Sequence, residues 1–194
     1  MTNAARFLLF DPVGNAWPAV RLPQVAFAGR SNVGKSSLLN ALVGQSRLAR
    51  VSNTPGRTRG IALFEVEERF AFADLPGYGF AKVSRSEREA WKGLVEGYLE
   101  GCEFLRRVYV LVDARRGPEE EERQLAAFLA ARTVPYRWVA TKGDKLSARG
   151  RTAAAARFEG EPWLAGGGPV RMTSARTKEG IDLLWRDIRA AFSA

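Results

Sequence analysis

Short apolar runs alternate along this chain with longer stretches of helical spacing. Val25-Ala26-Phe27-Ala28 reads as a buried strand, and residues 36–43 read as the helix after it, with Gly44 placed to stop that helix. Residues 61–66 and 69–73, parted by Glu67-Glu68, read as a hairpin and so as an antiparallel pair. Ser86-Glu87-Arg88-Glu89 has the pattern of a capping box opening a helix that runs to about Leu99. Val108-Tyr109-Val110-Leu111-Val112 is continuously apolar and β-branched, as in a parallel strand covered on both faces. Pro118 then opens a helix whose first turn carries Glu119-Glu120-Glu121-Glu122, where acids favour the helix dipole. Residues 136–140 give the next strand, and Ser147 caps a helix to Phe158. Gly166-Gly167-Gly168-Pro169 turns the chain into a strand at 170–172, and 181–192 closes it as an amphipathic helix. Strands alternating with helices predict one α/β domain with a mostly parallel sheet of six or seven strands, one of them antiparallel. Helices then cover both faces, and ligand binds at the strand C-termini. Residues 1–23, broken by Pro12, Gly14, Pro18 and Pro23, read as an irregular extension packed on a domain spanning 24–194. Within it, residues 7–10 are a candidate for a small strand.

Composition narrows the chemistry. The 194 residues are 46% hydrophobic and 26% charged, as in an ordinary globular domain. No apolar run approaches a membrane span, and Phe7-Leu8-Leu9-Phe10 is too short for a signal-peptide core, so the expected location is the cytoplasm. Cys102 is the only cysteine, which excludes an internal disulfide and reads as a buried structural residue. The chain has no His, so the commonest general base and metal ligand is missing. Catalysis must rest on phosphate positioning, metal ions and backbone groups. The net charge of +9 points to a polyanionic partner, nucleic acid first, against the alternative of a solvated Arg-rich surface. Arg47, Arg50, Arg57 and Arg59 fall in the aperiodic stretch 45–60. Arg106, Arg107, Arg115 and Arg116 bracket the strand at 108–112, the last two at its C-terminal edge.

The motifs say more than the charge. Gly29-Arg30-Ser31-Asn32-Val33-Gly34-Lys35-Ser36 fits the phosphate-binding pattern G-x-x-x-x-G-K-S/T, between a predicted strand and a predicted helix. Gly29 and Gly34 let the backbone N–H groups curl round phosphate oxygens, and Ser37 continues into the helix N-terminus. Lys35 is expected at the β and γ phosphates and the Ser36 hydroxyl on Mg²⁺. Asp74-Leu75-Pro76-Gly77 fits D-x-x-G, with Asp74 holding Mg²⁺ through water and the Gly77 N–H at the γ-phosphate. Thr141-Lys142-Gly143-Asp144 fits N/T-K-x-D. There the Asp144 carboxylate accepts from N1–H and the 2-amino group of guanine, a pair adenine cannot supply. The Lys142 stem covers base and ribose, and Thr173-Ser174-Ala175 offers a backbone N–H to guanine O6. Four motifs in this order, each behind a strand, read as a GTPase that uses Mg²⁺.

Taken together, these residues resemble the Era-like, translation-factor-class GTPases. With Thr54-Pro55-Gly56-Arg57-Thr58 and Asp74-Leu75-Pro76-Gly77-Tyr78-Gly79, they resemble more closely the bacterial ribosome-biogenesis GTPases called EngB. The resemblance covers roughly residues 24–192 and implies a single Ras-like P-loop GTPase domain. It implies slow hydrolysis of GTP to GDP as a switch in assembly of the large ribosomal subunit, with the subunit or its precursor and rRNA as partners. A role in cell growth would follow through ribosome supply. Thr58 falls at the switch I threonine that closes over Mg²⁺ and the γ-phosphate. Lys35, Thr58 and Gly77 are thereby the residues expected to act on the reacting phosphate. Arg57 stands where the family usually has Lys, which keeps the charge.

Ras-like GTPases orient the attacking water with a Gln after the D-x-x-G glycine. Tyr78 stands there and cannot do this. By the resemblance, Asn32 is the compensating residue, as a ligand of K⁺, which would supply positive charge at the phosphates. The other reading of Asn32 is a brace for the loop. The alternatives for the whole protein are a nucleotide-gated RNA-binding scaffold with incidental hydrolysis, or a GTPase of tRNA modification or of membranes. The chain shows no added RNA- or membrane-binding domain, and the expected state is a monomer without stable membrane association.

Overall fold

In the computed structural model, which describes residues 4–46, 48–49, 60–78, 85–159 and 166–193, strand β2 (Gln24–Gly29) is buried along its whole length. β1 (Ala5–Asp11) lies at one edge of the same sheet. β2 pairs in parallel with β4 (Phe70–Asp74) on one side and β5 (Leu105–Asp113) on the other. β3 (Ile61–Val66) runs antiparallel to both β1 and β4. β6 (Tyr136–Thr141) and the two-residue β7 (Arg171–Met172) complete the order β1-β3-β4-β2-β5-β6-β7. Seven strands with β3 alone reversed is the sheet the apolar pattern predicts.

Side-chain alternation along β2 divides the core into two layers. Val25 and Phe27 pack with Leu38 and Leu39 of α1 (Lys35–Val43) and Leu184, Trp185 and Ile188 of α5 (Ile181–Ser193). Ala26 and Ala28 face the other way, toward Tyr98 of α2 (Arg85–Gly101), Leu129 of α3 (Glu120–Ala131) and Phe158 of α4 (Ala148–Glu159). Phe27 is the hinge of the first layer: its ring meets Phe72 at 5.1 Å and stacks on Tyr109 at 5.3 Å. Cys102 is buried, as expected of a structural thiol. Among the described residues no helix is long and apolar enough to cross a membrane.

Several boundaries differ from the sequence reading. The small strand expected at 7–10 is present and longer, the edge strand β1 over 5–11, so that part of the extension is not irregular: β3 offers an open edge and Phe7 packs its ring on Phe64 at 5.9 Å. Helix α2 begins at Arg85 and already contains Ser86, which lies in its first turn. The cap of α3 is Glu119, whose side chain accepts from the backbone of Glu122 while the Glu122 carboxylate accepts the Glu119 N–H at 2.9 Å. Pro118 therefore precedes the cap. β5 begins at Leu105, so Arg106 and Arg107 lie within the strand instead of flanking it. The Glu67-Glu68 turn holds both residues at φ 55°, left-handed backbone that the sequence did not announce.

Asp11 anchors the extension. Its buried carboxylate accepts five backbone N–H groups: Val13, Gly14 and Asn15 on Oδ1, and Ala16 and Trp17 on Oδ2. Burial alone would push this carboxyl up, but the N–H groups outweigh it and hold it below the usual range. Trp17, fixed by the same loop, sets its ring edge-on to Tyr98 of α2 at 5.3 Å. Asp11→Ala leaves these donors without their acceptor and is expected to cost about 3 kcal/mol in urea unfolding. Because the folded-state pKa is depressed, the wild-type carboxylate contributes fully above about pH 4. Its share of stability is lost as the pH falls below that point. The stability gap between wild type and Asp11→Ala should therefore narrow on acidification.

Candidate functional site

The C-terminal ends of β2, β4, β5 and β6 and the residues after β7 open on one edge of the sheet. Parallel strands must end there together, and so the four motif loops meet. At the end of β2, the chain passes through Gly29 because a side chain would not fit. A Cβ there would lie 3.0 Å from the Leu111 side chain, the Leu111 carbonyl and Val33. The curl of the loop comes later, at Asn32 (φ 61°) and at Gly34 (φ 108°), which is the cap of α1. Gly29 thus serves packing and Gly34 the turn, where the sequence reading gave the turn to both. Val33 and Lys35 are buried, Ser31, Ser36 and Ser37 half-buried, and Asn32 exposed.

Two charges close the phosphate end. Lys35 Nζ is ion-paired with the buried Asp74 carboxylate at the end of β4. Beside it the D-x-x-G loop is stitched to the phosphate loop, with Ser31 N–H donating to the Tyr78 carbonyl at 2.9 Å and Arg30 bridging Tyr78 in parallel. Gly77 lies in this stitched segment, half-buried. The Tyr78 ring is turned inward, edge-on to Trp91 at 5.6 Å. Burial first, then the negative charge of Glu122, keep its phenol protonated, well above the usual tyrosine range. The Arg30 side chain points away from the loop, to Glu119 and Glu121 of α3.

The other end is a cleft of 540 Å³ lined by Gly34, Ser37, Thr141, Asp144, Ala175 and Arg176, among others. The cleft stops short of the closed Lys35–Asp74 pair. Thr141 Oγ1 donates to the Val33 carbonyl at 2.6 Å, joining β6 to the phosphate loop. Lys142 is left-handed (φ 60°), which turns Asp144 toward the residues after β7. Asp144 accepts from Ser174 Oγ at 2.7 Å and pairs with Arg176 Nε at 2.8 Å. The Ser174 bond first, then Arg176, hold this carboxyl below the usual range. Gly143 N–H on the Thr173 carbonyl at 2.9 Å, and Thr173 N–H on the Ala140 carbonyl at 2.7 Å, lock the two motifs together.

The Ser36 hydroxyl and the Asp74 carboxylate are hard oxygen donors of the type that suits Mg²⁺. Among the described residues no group of three acidic, His or Cys side chains could hold a metal alone. Thr58, Gly79 and the four arginines Arg47, Arg50, Arg57 and Arg59 lie outside the described residues.

Three residues near this edge escaped the sequence reading. Asn40 holds the chain after α1, accepting Ala49 N–H at 2.8 Å and donating to the Ala49 carbonyl at 2.9 Å. Arg176 had no motif to mark it. Asp113 ends β5 as Asp74 ends β4, an acid directly behind an apolar run, and that parallel was the available signal. Arg115 and Arg116 reach the expected edge, but each is paired within the chain: Arg115 with Asp113 at 2.6 Å, Arg116 with Glu119 at 2.7 Å.

A strand, a glycine-turned G-x-x-x-x-G-K-S loop and a helix beside a cleft that holds the Asp144 carboxylate have the form of a P-loop GTP-binding protein. A family model described as 50S ribosome-binding GTPase matches residues 24–142. The chain is 47% identical to the probable GTP-binding protein EngB of Anaeromyxobacter sp. (strain Fw109-5), over 90% of this chain and 85% of that protein. It is 43% identical to the EngB of Solibacter usitatus (strain Ellin6076), over 98% and 97% of the two chains. By these matches the chain belongs to the EngB family of GTP-binding proteins. The crystal structure of a probable GTP-binding protein EngB superposes with a TM-score of 0.68 at 26% identity, covering 87% of this chain and 97% of that one. The Aquifex aeolicus Era structure, at 24% identity and TM-score 0.69, covers 87% of this chain and 56% of its own, and shares the fold.

Proposed function

We propose that this protein hydrolyses GTP slowly as a switch in assembly of the large ribosomal subunit. The observation that carries the reading is two charge pairs on the same edge of the sheet, one inside the cleft and one beyond it at the phosphate loop. Lys35 rests on Asp74, where a phosphate and a metal would separate them, and Arg176 rests on Asp144, where guanine would replace it. An arginine side chain presents N–H donors on one edge, as the N1–H and 2-amino edge of guanine does. In this reading residues 29–37 surround the phosphates, Gly77 and Thr58 close on the γ-phosphate, and Thr141, Lys142 and Asp144 hold the base with residues 173–175. Ser36 and Asp74, with Thr58, would hold Mg²⁺, which would offset the negative charge developing on the phosphates.

Tyr78 is buried and keeps its proton, so it neither orients nor activates water. Slow intrinsic turnover follows, with rate coming from positioning. K⁺ is part of the proposal. The Asn32 side chain is exposed, and among the described residues no hydrogen bond from it braces the loop. The partner is rRNA within a subunit or its precursor, supported by the +9 charge and by the matched family's description. The protein works as a cytoplasmic monomer. A nucleotide-gated scaffold remains distinguishable by phosphate release: it predicts subunit binding with no stimulated hydrolysis in single turnover.

Asp144→Asn is expected to weaken GDP binding and to shift preference toward xanthine nucleotides, read by competition against a fluorescent GDP. Unchanged GDP affinity would remove Asp144 from the base site. Arg176→Ala is expected to raise GDP affinity about two- to fivefold, because an exposed ion pair no longer has to be exchanged. Weaker binding would mean that Arg176 holds the nucleotide instead. Sedimentation with purified large subunits is expected to favour GTP over GDP and to fall steeply between low and moderate salt, as phosphate contacts release counterions. Binding that ignores both nucleotide and salt would refute the ribosomal half of the proposal.

A further inference from the structure

Asp113 lies outside every motif of the site and is nevertheless a heavily engaged carboxylate at the end of β5. It ends β5, is 8% exposed, and takes four donors. Arg115 gives Nε at 2.9 Å, its terminal guanidinium nitrogen at 2.6 Å and its backbone N–H at 3.1 Å. The fourth donor is Lys142 Nζ at 3.0 Å. The same Lys142 ammonium donates to the Asn32 carbonyl at 2.6 Å, at the left-handed turn of the phosphate loop.

We infer that Asp113 is a positioning residue for nucleotide binding: it fixes the Lys142 ammonium so that the Lys142 stem lies over the base and ribose and the phosphate loop is pinned at Asn32. The inference rests on the GTP-binding reading of the cleft. A lysine has four rotatable bonds, and holding its head at a defined point is entropically unfavourable unless something fixed and charged receives it. The Asn32 carbonyl alone belongs to a tight loop and accepts one bond. Asp113 is fixed twice over. Its backbone is in the β5–β6 ladder opposite Thr141, the residue before Lys142, and its carboxylate is clamped by Arg115. The ladder and the Lys142–Asp113 pair therefore reach one element from two sides. The carboxyl is held well below the ordinary aspartate range: burial opposes this, and the bonds from Arg115 and Lys142 overcome it. It is therefore charged at any pH at which the protein works. Arg115 has a second consequence. Since it clamps the carboxylate that holds Lys142, reversing its charge would disturb the nucleotide site as well as any surface contact.

The test is a double-mutant cycle on GDP binding with full-length protein. Asp113→Asn keeps the shape and removes the charge. It is expected to weaken GDP affinity about tenfold, the loss of a charged hydrogen bond. It should raise KM for GTP while leaving the saturating single-turnover rate within about twofold, since the Lys142 ammonium is held at Asp113 and the Asn32 carbonyl, apart from the Lys35–Asp74 pair. In a Lys142→Ala background Asp113→Asn should add less than about twofold, because the residue it positions is gone. Asp113→Glu keeps the charge one methylene further out and is expected to lose less than Asp113→Asn, which keeps the question answerable should the amide fold poorly. Three results would overturn the inference: unchanged GDP affinity in Asp113→Asn, the full tenfold loss persisting without Lys142, or equal losses in the Asn and Glu variants. A wild-type protein that binds no GDP would instead sink the GTP-binding reading itself.

Discussion

The parallel pairing of β2 with both β4 and β5 is the constraint from which the rest follows. A strand hydrogen-bonded on both edges cannot shift register without breaking two ladders at once, and covered on both faces it cannot tilt. Its exit point is therefore fixed relative to the exits of its neighbours. Gly29 removes the one side chain that would push that exit away from Leu111, and the phosphate loop begins at a place determined by the core. The loop owes its position to Phe27, Phe72 and Tyr109 as much as to its own glycines.

A site built to receive a polyanion faces a difficulty when it is empty. Its cations must be close together, and its acids must wait for a metal or a base. In this chain each of three acids at this edge neutralises a cation: Asp74 for Lys35, Asp144 for Arg176, Asp113 for Lys142 and Arg115. The first two pairs are exchanged on binding in the proposed cycle, whereas the third lies behind the site and persists. In the proposed cycle this difference separates residues that would meet ligand from one that would organise them.

Much of this was readable before any coordinates. The sheet was visible because a strand buried on both faces leaves a solid apolar run, as at 108–112, and a hairpin leaves two runs with a polar gap, as at Glu67-Glu68. The motifs were visible because backbone curvature at Gly34 and carboxylate chemistry at Asp144 admit few substitutes. What stayed hidden was decided by contacts remote in sequence. The apolar run at 7–10 offered a small strand, but its extension to 5–11 depends on the free edge of β3, which nothing local reveals. Pro118 suits the first turn of a helix and also the residue before its cap, and the reciprocal bonds of Glu119 and Glu122 chose the latter. Asp113 looked like the end of a strand, since nothing local states that Arg115 and Lys142 converge on it.

The contact between the D-x-x-G loop and α2 gives the molecule a property of a different sort. The Trp91 indole donates its N–H to the Pro76 carbonyl at 2.9 Å and receives the Tyr78 ring on its side. An indole's emission depends on the dipoles around it, and here those dipoles belong to the segment next to Gly77. Of the described tryptophans, Trp138 and Trp185 are sealed in the two core layers and Trp17 is held by the Asp11 loop. Trp91 alone among these touches the loop that a γ-phosphate would draw in. The chain thus carries its own optical reporter, placed where the nucleotide state would alter its light.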